Sequence, residues 1–285
     1  MHGLSSPEDV AAAAQLACLL EASAPKPGNV APERHFHDTR YEDFLASAVA
    51  IGPALSAAGR RPLGSTIRAA AEATARWARA NTNLGIILLL APLARAAVRA
   101  GGSLRERLGG VLAETTVEDA AEVYAAIRLA RPGGLGRAEV EDVAAPPTVT
   151  LREAMALAAE RDAVAREYVT DFASTFEVGA PAILAARADR LTWGDATVEA
   201  FLVLLGAGRD THIARKLGVD AAEAISRRAR EVMAAGGVRH PAGREALARL
   251  DADLRDPTNS RNPGTTADLT CAALFVVILE GGWDR

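Results

Sequence analysis

Apolar residues recur along most of this chain with a helical period, and nowhere do they alternate with polar ones as in a half-buried strand. Val10, Ala13, Ala17 and Leu20 share one helical face, and Phe44, Ala48 and Ile51 share another. Apolar residues make up 49% of the chain but aromatic residues only 4%. Much of the apolar share is Ala, the strongest helix former. Few aromatics are left for a sandwich or barrel core. The expectation is an all-α fold: a single globular domain over residues 1–285, with roughly ten helices and functional loops at helix ends.

Local signals place the elements. Ser6 can cap a helix that starts at Pro7, with Glu8 and Asp9 at its positive end. Pro25 and Pro27 end it. Further helices are expected over about Tyr41–Leu55, Ser65–Arg79, Leu84–Ala100, Val117–Leu129, Leu151–Phe176, Pro181–Ala188, Ala196–Leu205, Ala221–Ala235, Gly243–Leu254 and Ala267–Leu279. Pro92 predicts a kink or break in the fourth of these eleven. The Gly-, Pro- and acid-rich stretch 131–147 reads as a long functional loop.

Composition excludes several classes. The net charge is -4 with both signs interspersed, so no basic stripe points to nucleic acid. Cys18 and Cys271 lie in apolar helical contexts and read as buried free thiols, which fits a reducing cytoplasm. Residues 1–20 lack a basic region and a cleavage site for secretion. The apolar runs Ile86–Ala94 and Cys271–Leu279 are too short to span a bilayer, so no membrane partner is expected.

The chain holds 32 basic residues, and only Lys26 and Lys216 among them are lysine. Its asparagines are Asn29, Asn81, Asn83, Asn259 and Asn262, all in short polar stretches between apolar segments. A lysine is a compact point charge, and an asparagine offers a neutral donor and acceptor together. Where a biased composition keeps them, the site needs that chemistry or an exposed loop has retained them by chance. Asn81-Thr82-Asn83 and Asn262-Pro263-Gly264-Thr265-Thr266 each precede an apolar helix, whose free N–H groups attract phosphate oxygens. Simple N-capping is the competing reading for both.

Lys26 sits between two prolines, a stiff mount for a charge held against phosphate. Asp210-Thr211-His212 is followed by Arg215 and Lys216, and Asp210 can ligate Mg²⁺ beside a polyphosphate or cap the next helix. Asp268 begins the last helix as a dipole partner or second carboxylate. Glu21 lies late in the first helix, where its charge opposes the dipole and calls for a partner, Lys26 or a metal. His35 and His37 lack a third ligand for zinc.

Five segments together resemble the triphosphoribosyl-dephospho-CoA synthase family: Glu21–Val30, His37–Ala48, Asn81–Gly85, Asp210–Lys216 and Asn262–Leu269. The resemblance covers roughly residues 8–280, and Pro25-Lys26-Pro27-Gly28 and the Asn-Thr-x-x-Gly stretch are its most specific parts. It implies an all-helical pentosyltransferase in which a ribose 2′-hydroxyl of 3′-dephospho-CoA attacks C1′ of ATP. Adenine leaves, and the triphosphate stays on the transferred ribose. It calls for a carboxylate near C1′, a base for the attacking hydroxyl, a donor for the departing adenine and cations around the triphosphate; the candidates are Mg²⁺, with Glu21, Asp210 and Asp268 as metal ligands, and Asp38 and Asp210 as catalytic carboxylates. It also implies phosphate or nucleotide binding by Lys26, Asn29, Asn81, Thr82, Asn83, His212, Arg215, Lys216, Asn262, Gly264 and Thr265. The partners are ATP or another phosphorylated ribose donor and a small-molecule acceptor, with a homodimer open. The family's usual Asn-Thr-His-Lys-Gly is Asn81-Thr82-Asn83-Leu84-Gly85 here, and such departures are those of a divergent branch. The runner-up is therefore phosphoribosyl transfer to a pterin precursor of tetrahydromethanopterin, with phosphoribosyl diphosphate as donor. A non-catalytic nucleotide-binding helical protein is the reading from another class.

Overall fold

A computed structural model describes residues 6–283. The N- and C-terminal ends of the 1–285 domain range, residues 1–5 and 284–285, lie outside the described residues. The segments are α1 (Pro7–Ser23), α2 (Tyr41–Ala50), α3 (Gly52–Ser56), α4 (Leu63–Ala75), α5 (Leu84–Ala97), α6 (Leu104–Ala113), α7 (Val117–Ala130), α8 (Leu151–Ala158) and α9 (Ala163–Val169). A π-helical turn (Ser174–Gly179) then leads into α10 (Ala180–Ala188), α11 (Trp193–Ala207), α12 (Thr211–Leu217), α13 (Val219–Ala234), α14 (Pro241–Leu254) and α15 (Gly264–Leu279). Among the described residues there is no β-strand, only an isolated bridge between Ala31 and Arg34. No helix among them is long and apolar enough to cross a membrane.

The all-α expectation holds, but the described residues form fifteen α-helical segments rather than roughly ten. The differences have local causes. The expected helix over 41–55 breaks at Ile51, and α3 restarts with Pro53 in its first turn. The expected helix over 151–176 is three elements. Asp162 caps a new start by accepting from the Val164 and Ala165 amides, and Asp171 and Phe172 turn the chain with φ of 48° and 60°. The buried Glu167 carboxylate then receives the Ser174 and Thr175 amides and starts the π turn. Helices α6 and α12 lie outside the expected set. Helix α6 carries a reciprocal cap between Ser103 and Glu106, and α12 begins at Asp210.

Helix α15 is the axis of the main core. Every residue from Leu269 to Leu279 is buried, and α1, α5, α10, α11 and the π turn pack around it. A smaller apolar cluster joins α11, α12, α13 and α14. Cys18 of α1 and Cys271 of α15 are buried free thiols with their Sγ atoms 3.7 Å apart.

Helix α5 runs through Pro92 without ending. Proline has no N–H, so the Leu88 carbonyl four residues earlier loses its helical donor. The hydroxyl of Tyr168, itself fully buried, donates to that carbonyl at 2.6 Å. Tyr168→Phe should therefore leave a buried acceptor unpaired and cost about 1–3 kcal/mol. Combining it with Pro92→Ala, which restores an amide donor, should recover part of the loss in denaturant unfolding. Equal losses in the single and double variants would show that the hydroxyl does not serve that carbonyl.

Candidate functional site

The polar segments meet in a cleft where the C-terminal end of α1, the loop through residue 40, and the N-terminal ends of α5, α12 and α15 come together. It has two connected compartments. The outer one, about 570 Å³, is lined by Asp38, Arg79, Asn81, Asn83, Arg131, His212, Lys216, Asn259 and Asn262, among others. The inner one, about 170 Å³, is lined by Glu21, Asn29, Thr82, Asn83, Gly85, Asp162, Arg215, Gly264, Thr265 and Asp268, among others. Asn81, Asn83, His212 and Asn262 line both.

Two of the expected site residues do not line either compartment. Lys26 is 1% exposed, and its ammonium pairs with the Glu21 carboxylate at 3.0 Å. It also donates to the Glu21 and Ala24 carbonyls, so its three protons are used. In this structure Lys26 does not face the cleft: it is held inward, between two prolines, as the counter-ion of Glu21. Glu21 thus has the lysine partner that its position in α1 called for.

Asp210 is likewise buried and fully engaged. One oxygen accepts from the His212 and Ile213 amides at 2.9 and 3.0 Å. The other accepts from the Thr266 amide and hydroxyl, each at 2.7 Å. A carboxylate offers about four acceptor sites, and all of these face protein donors. Asp210 here clamps α12 to α15 and turns no free oxygen to the cleft, where it was expected as metal ligand or catalytic carboxylate. Burial pushes its pKa up, and the Thr266, Ile213 and His212 donors oppose that.

The clamp sets the chemistry of α12. Arg215 donates to Asp162 at 2.7 Å and lies 3.4 Å from His212 Nδ1. An arginine only donates, so Nδ1 accepts and Nε2 carries the proton. Burial, with Lys216 and Arg215 nearby, lowers the His212 pKa to about 3. His212 is therefore a neutral hydrogen-bond donor at physiological pH. Lys216 reaches the Asn259 carbonyl at 3.2 Å, and Asn259 in turn contacts His37 Nδ1 at 2.8 Å. That chain ties α12 to the loop bearing Asp38. Asp38 is exposed and accepts from the Thr39 hydroxyl. It does not cap α2, whose first turn is held by Asp43 accepting from the Arg40 amide.

The inner compartment is acidic. Asp268 is pushed well above the usual carboxylate range, first by burial and then by Glu21, Asp210 and Asp162. Gly85 makes room for it: a Cβ there would stand 2.1 Å from an Asp268 oxygen. The N-terminal ends of α5 and α15 open into the same space, with Gly85, Gly264 and Thr265 on its wall. Thr265 is bonded to the Thr211 hydroxyl, and Thr82 to that of Ser47. Asn81 caps the Leu84 amide, and the Asn29 amide bonds to the Pro27 carbonyl.

Four buried side-chain atoms on the cleft wall have no hydrogen-bond partner: Thr74 Oγ1, Asn83 Nδ2, Arg215 Nε and Asn262 Oδ1. Leaving such groups unpaired is costly, so each calls for a partner from the cleft, a water or a ligand. Residues unread in the sequence also line it: Asp162, and the exposed Arg79 and Arg131 just past the ends of α4 and α7. Arg79 and Arg131 were hidden among many arginines, but the capping position of Asp162 before an apolar helix was a visible signal.

Mg²⁺ suits this donor set in a particular way. Among the described residues no group of three or more His, Cys, Asp or Glu is placed to hold a metal alone. Mg²⁺ commonly takes one or two carboxylates together with substrate phosphates, and the crowded, partner-poor Asp268 beside Glu21 fits that habit. Two outcomes are expected. Lys26→Met should strand the Glu21 charge and destabilise the fold by about 3–5 kcal/mol, read in denaturant unfolding. Asp268 carries a raised folded pKa, so its charge costs stability as pH rises above its ordinary value. Asp268→Asn should then unfold at higher denaturant than the parent at pH 7, with the gap closing towards pH 4. A gap that does not change with pH would contradict this.

The model of the CitG family, described as ATP:dephospho-CoA triphosphoribosyl transferase, matches residues 7–285. A 2-(5″-triphosphoribosyl)-3′-dephosphocoenzyme-A synthase from Klebsiella pneumoniae is 35% identical over 101 residues, covering 35% of each chain. The chain thus spans about a third of the length of the curated relatives it matches. A crystal structure from Archaeoglobus fulgidus, provisionally named a triphosphoribosyl-dephospho-CoA synthase, superposes with a TM-score of 0.65 at 30% identity. It covers 83% of this chain and 99% of its own. The chain belongs to the ATP:dephospho-CoA triphosphoribosyl transferase family.

Proposed function

We propose that this chain transfers the 5-triphosphoribosyl group of ATP to the ribose 2′-hydroxyl of 3′-dephospho-CoA and releases adenine. The observation that carries it is the convergence, in a member of this family, of two helix N-termini and four unpaired buried polar atoms on one cleft. The inner compartment takes the triphosphate. There the amide ends of α5 and α15 and the unpaired Arg215 Nε offer donors to phosphate oxygens. Asp268 and Glu21 would hold Mg²⁺, which when bound neutralises charge on the triphosphate. The outer compartment takes the base and the acceptor, whose diphosphate suits the exposed cations Arg79 and Arg131 and the nearby Lys216.

The chemistry is substitution at C1′. The acceptor oxygen forms a bond to C1′ as the bond from C1′ to the adenine nitrogen breaks; adenine leaves with that electron pair and takes up one proton, equal to the one the acceptor hydroxyl loses. The transition state resembles an oxocarbenium ion, which a nearby carboxylate stabilises. Asp38, the exposed carboxylate of the outer compartment, supplies that charge and accepts the hydroxyl proton. His212, neutral with its proton on Nε2, donates a hydrogen bond without adding charge.

Incubation with ATP, Mg²⁺ and 3′-dephospho-CoA should release one adenine per triphosphoribosyl product, followed by chromatography and mass. Phosphoribosyl diphosphate serves as the competing donor. Use of it in place of ATP, or no adenine release, would overturn the reading. Asp38→Asn should lower turnover by roughly 10²–10⁴ while donor affinity changes little. Near-normal turnover in that variant would remove Asp38 from the chemistry.

A further inference from the structure

We infer that Asn83 and Asn262 read the vicinal hydroxyls of the donor's ribose at the junction of the two compartments. The inference rests on the ATP-donor reading above. Both residues line both compartments, and no donor or acceptor of the protein satisfies Asn83 Nδ2 or Asn262 Oδ1. Asn83 is 5% exposed. Their backbones are pinned: the Asn83 carbonyl accepts the Ile87 amide at 2.9 Å, and the Asn262 carbonyl accepts the Gly264 amide at 2.9 Å. Each side chain thus springs from a held backbone and has one amide atom without a partner.

The character of the unpaired atoms narrows the ligand. One is a neutral donor and the other a neutral acceptor. An ionised phosphate only accepts, so it would leave Asn262 Oδ1 unpaired. A metal ion would serve Asn262 Oδ1 and leave Asn83 Nδ2 unpaired. A hydroxyl both donates and accepts, and a vicinal pair supplies both functions side by side. The position agrees. A nucleotide's ribose joins its phosphates to its base, and these amides stand between the phosphate-binding helix ends and the open outer compartment. The 6-amino edge of adenine also presents a donor beside an acceptor, and the test below separates the two. A site built around buried polar groups rejects an analogue lacking their partner, because those groups are left unpaired.

The measurement is the affinity, with Mg²⁺ present, of ATP, 2′-deoxy-ATP, 3′-deoxy-ATP, inosine triphosphate and inorganic tripolyphosphate. The wild type should bind at least one deoxy analogue about tenfold or more weakly than ATP, and inosine triphosphate about as well as ATP. Asn83→Ala and Asn262→Ala should each weaken ATP towards the level of that analogue, erasing the discrimination, with tripolyphosphate affinity unchanged as the sign of an intact fold. Should an alanine variant fail to fold, Asn83→Asp, which keeps shape but removes the donor, replaces it and should also lose discrimination. Equal affinity of the wild type for ATP and both deoxy analogues overturns the inference, as does discrimination that survives both substitutions. Rejection of inosine triphosphate with acceptance of both deoxy analogues would move the amides onto the base and overturn it too. Adenine release in the turnover assay is independent of these ratios. Normal turnover without sugar discrimination sinks this inference alone, whereas absent ATP binding removes the donor reading as well.

Discussion

The Asp210 carboxylate is the contact on which the site depends. It takes two amides at the start of α12 and an amide and a hydroxyl at the start of α15, so two helix ends share one anion. A single short side chain thereby fixes where His212, Arg215 and Lys216 stand relative to Asn262 and Gly264. The anion also faces the positive ends of both helices, which offsets part of the cost of burying it. Without it the two N-termini would compete for water, and α12, only seven residues long, has little apolar surface of its own to keep it in place.

The Glu21–Lys26 pair does the corresponding work on the other wall. It closes the end of α1, where the chain turns through Pro25 and Pro27, and places one carboxylate beside Asp268. Gly28, with φ of 70°, continues that turn and gives its amide to Asp251 of α14 at 2.8 Å. A lysine with a neighbouring carboxylate and two carbonyls is thus a structural member, and the free positive charge of the cleft comes from arginines and Lys216. Charge is layered from acid inside to base outside, an order suited to a divalent cation and polyphosphate within and a second anion without.

Much of this was legible in the sequence, and the failures are instructive. The all-α fold followed from Ala-rich helical periodicity, and the start of α1 followed from Ser6 and Pro7. Glu21, Asp38, Asn83, Arg215, Asn262 and Asp268 stand in polar stretches at helix ends, a pattern visible in the sequence, and the fold brings them to one cleft. Roles were harder. Lys26 and Arg215 are both cations in polar motifs, and nothing local says that one faces inward to a carboxylate while the other keeps a free N–H in the cleft. Asp210 carried its alternative in plain view, since an Asp before a helix is a cap, but its second pair of bonds crosses 56 residues to Thr266. Helix α12 is too short to show a period, and Tyr168 could not be matched to Pro92 without the tertiary contact.

Gly85 holds its place by lacking a side chain. The space beside its Cα is occupied by the Asp268 carboxylate, so helix α5 is notched and the acid on α15 sits in the notch. The fit is a matter of volume alone. A single methyl group is the smallest side chain available, and it already overlaps the carboxylate oxygen. A side chain at position 85 would therefore make the Asp268 carboxylate swing aside, and the reach of the acid into the cleft is set by an atom that is not there.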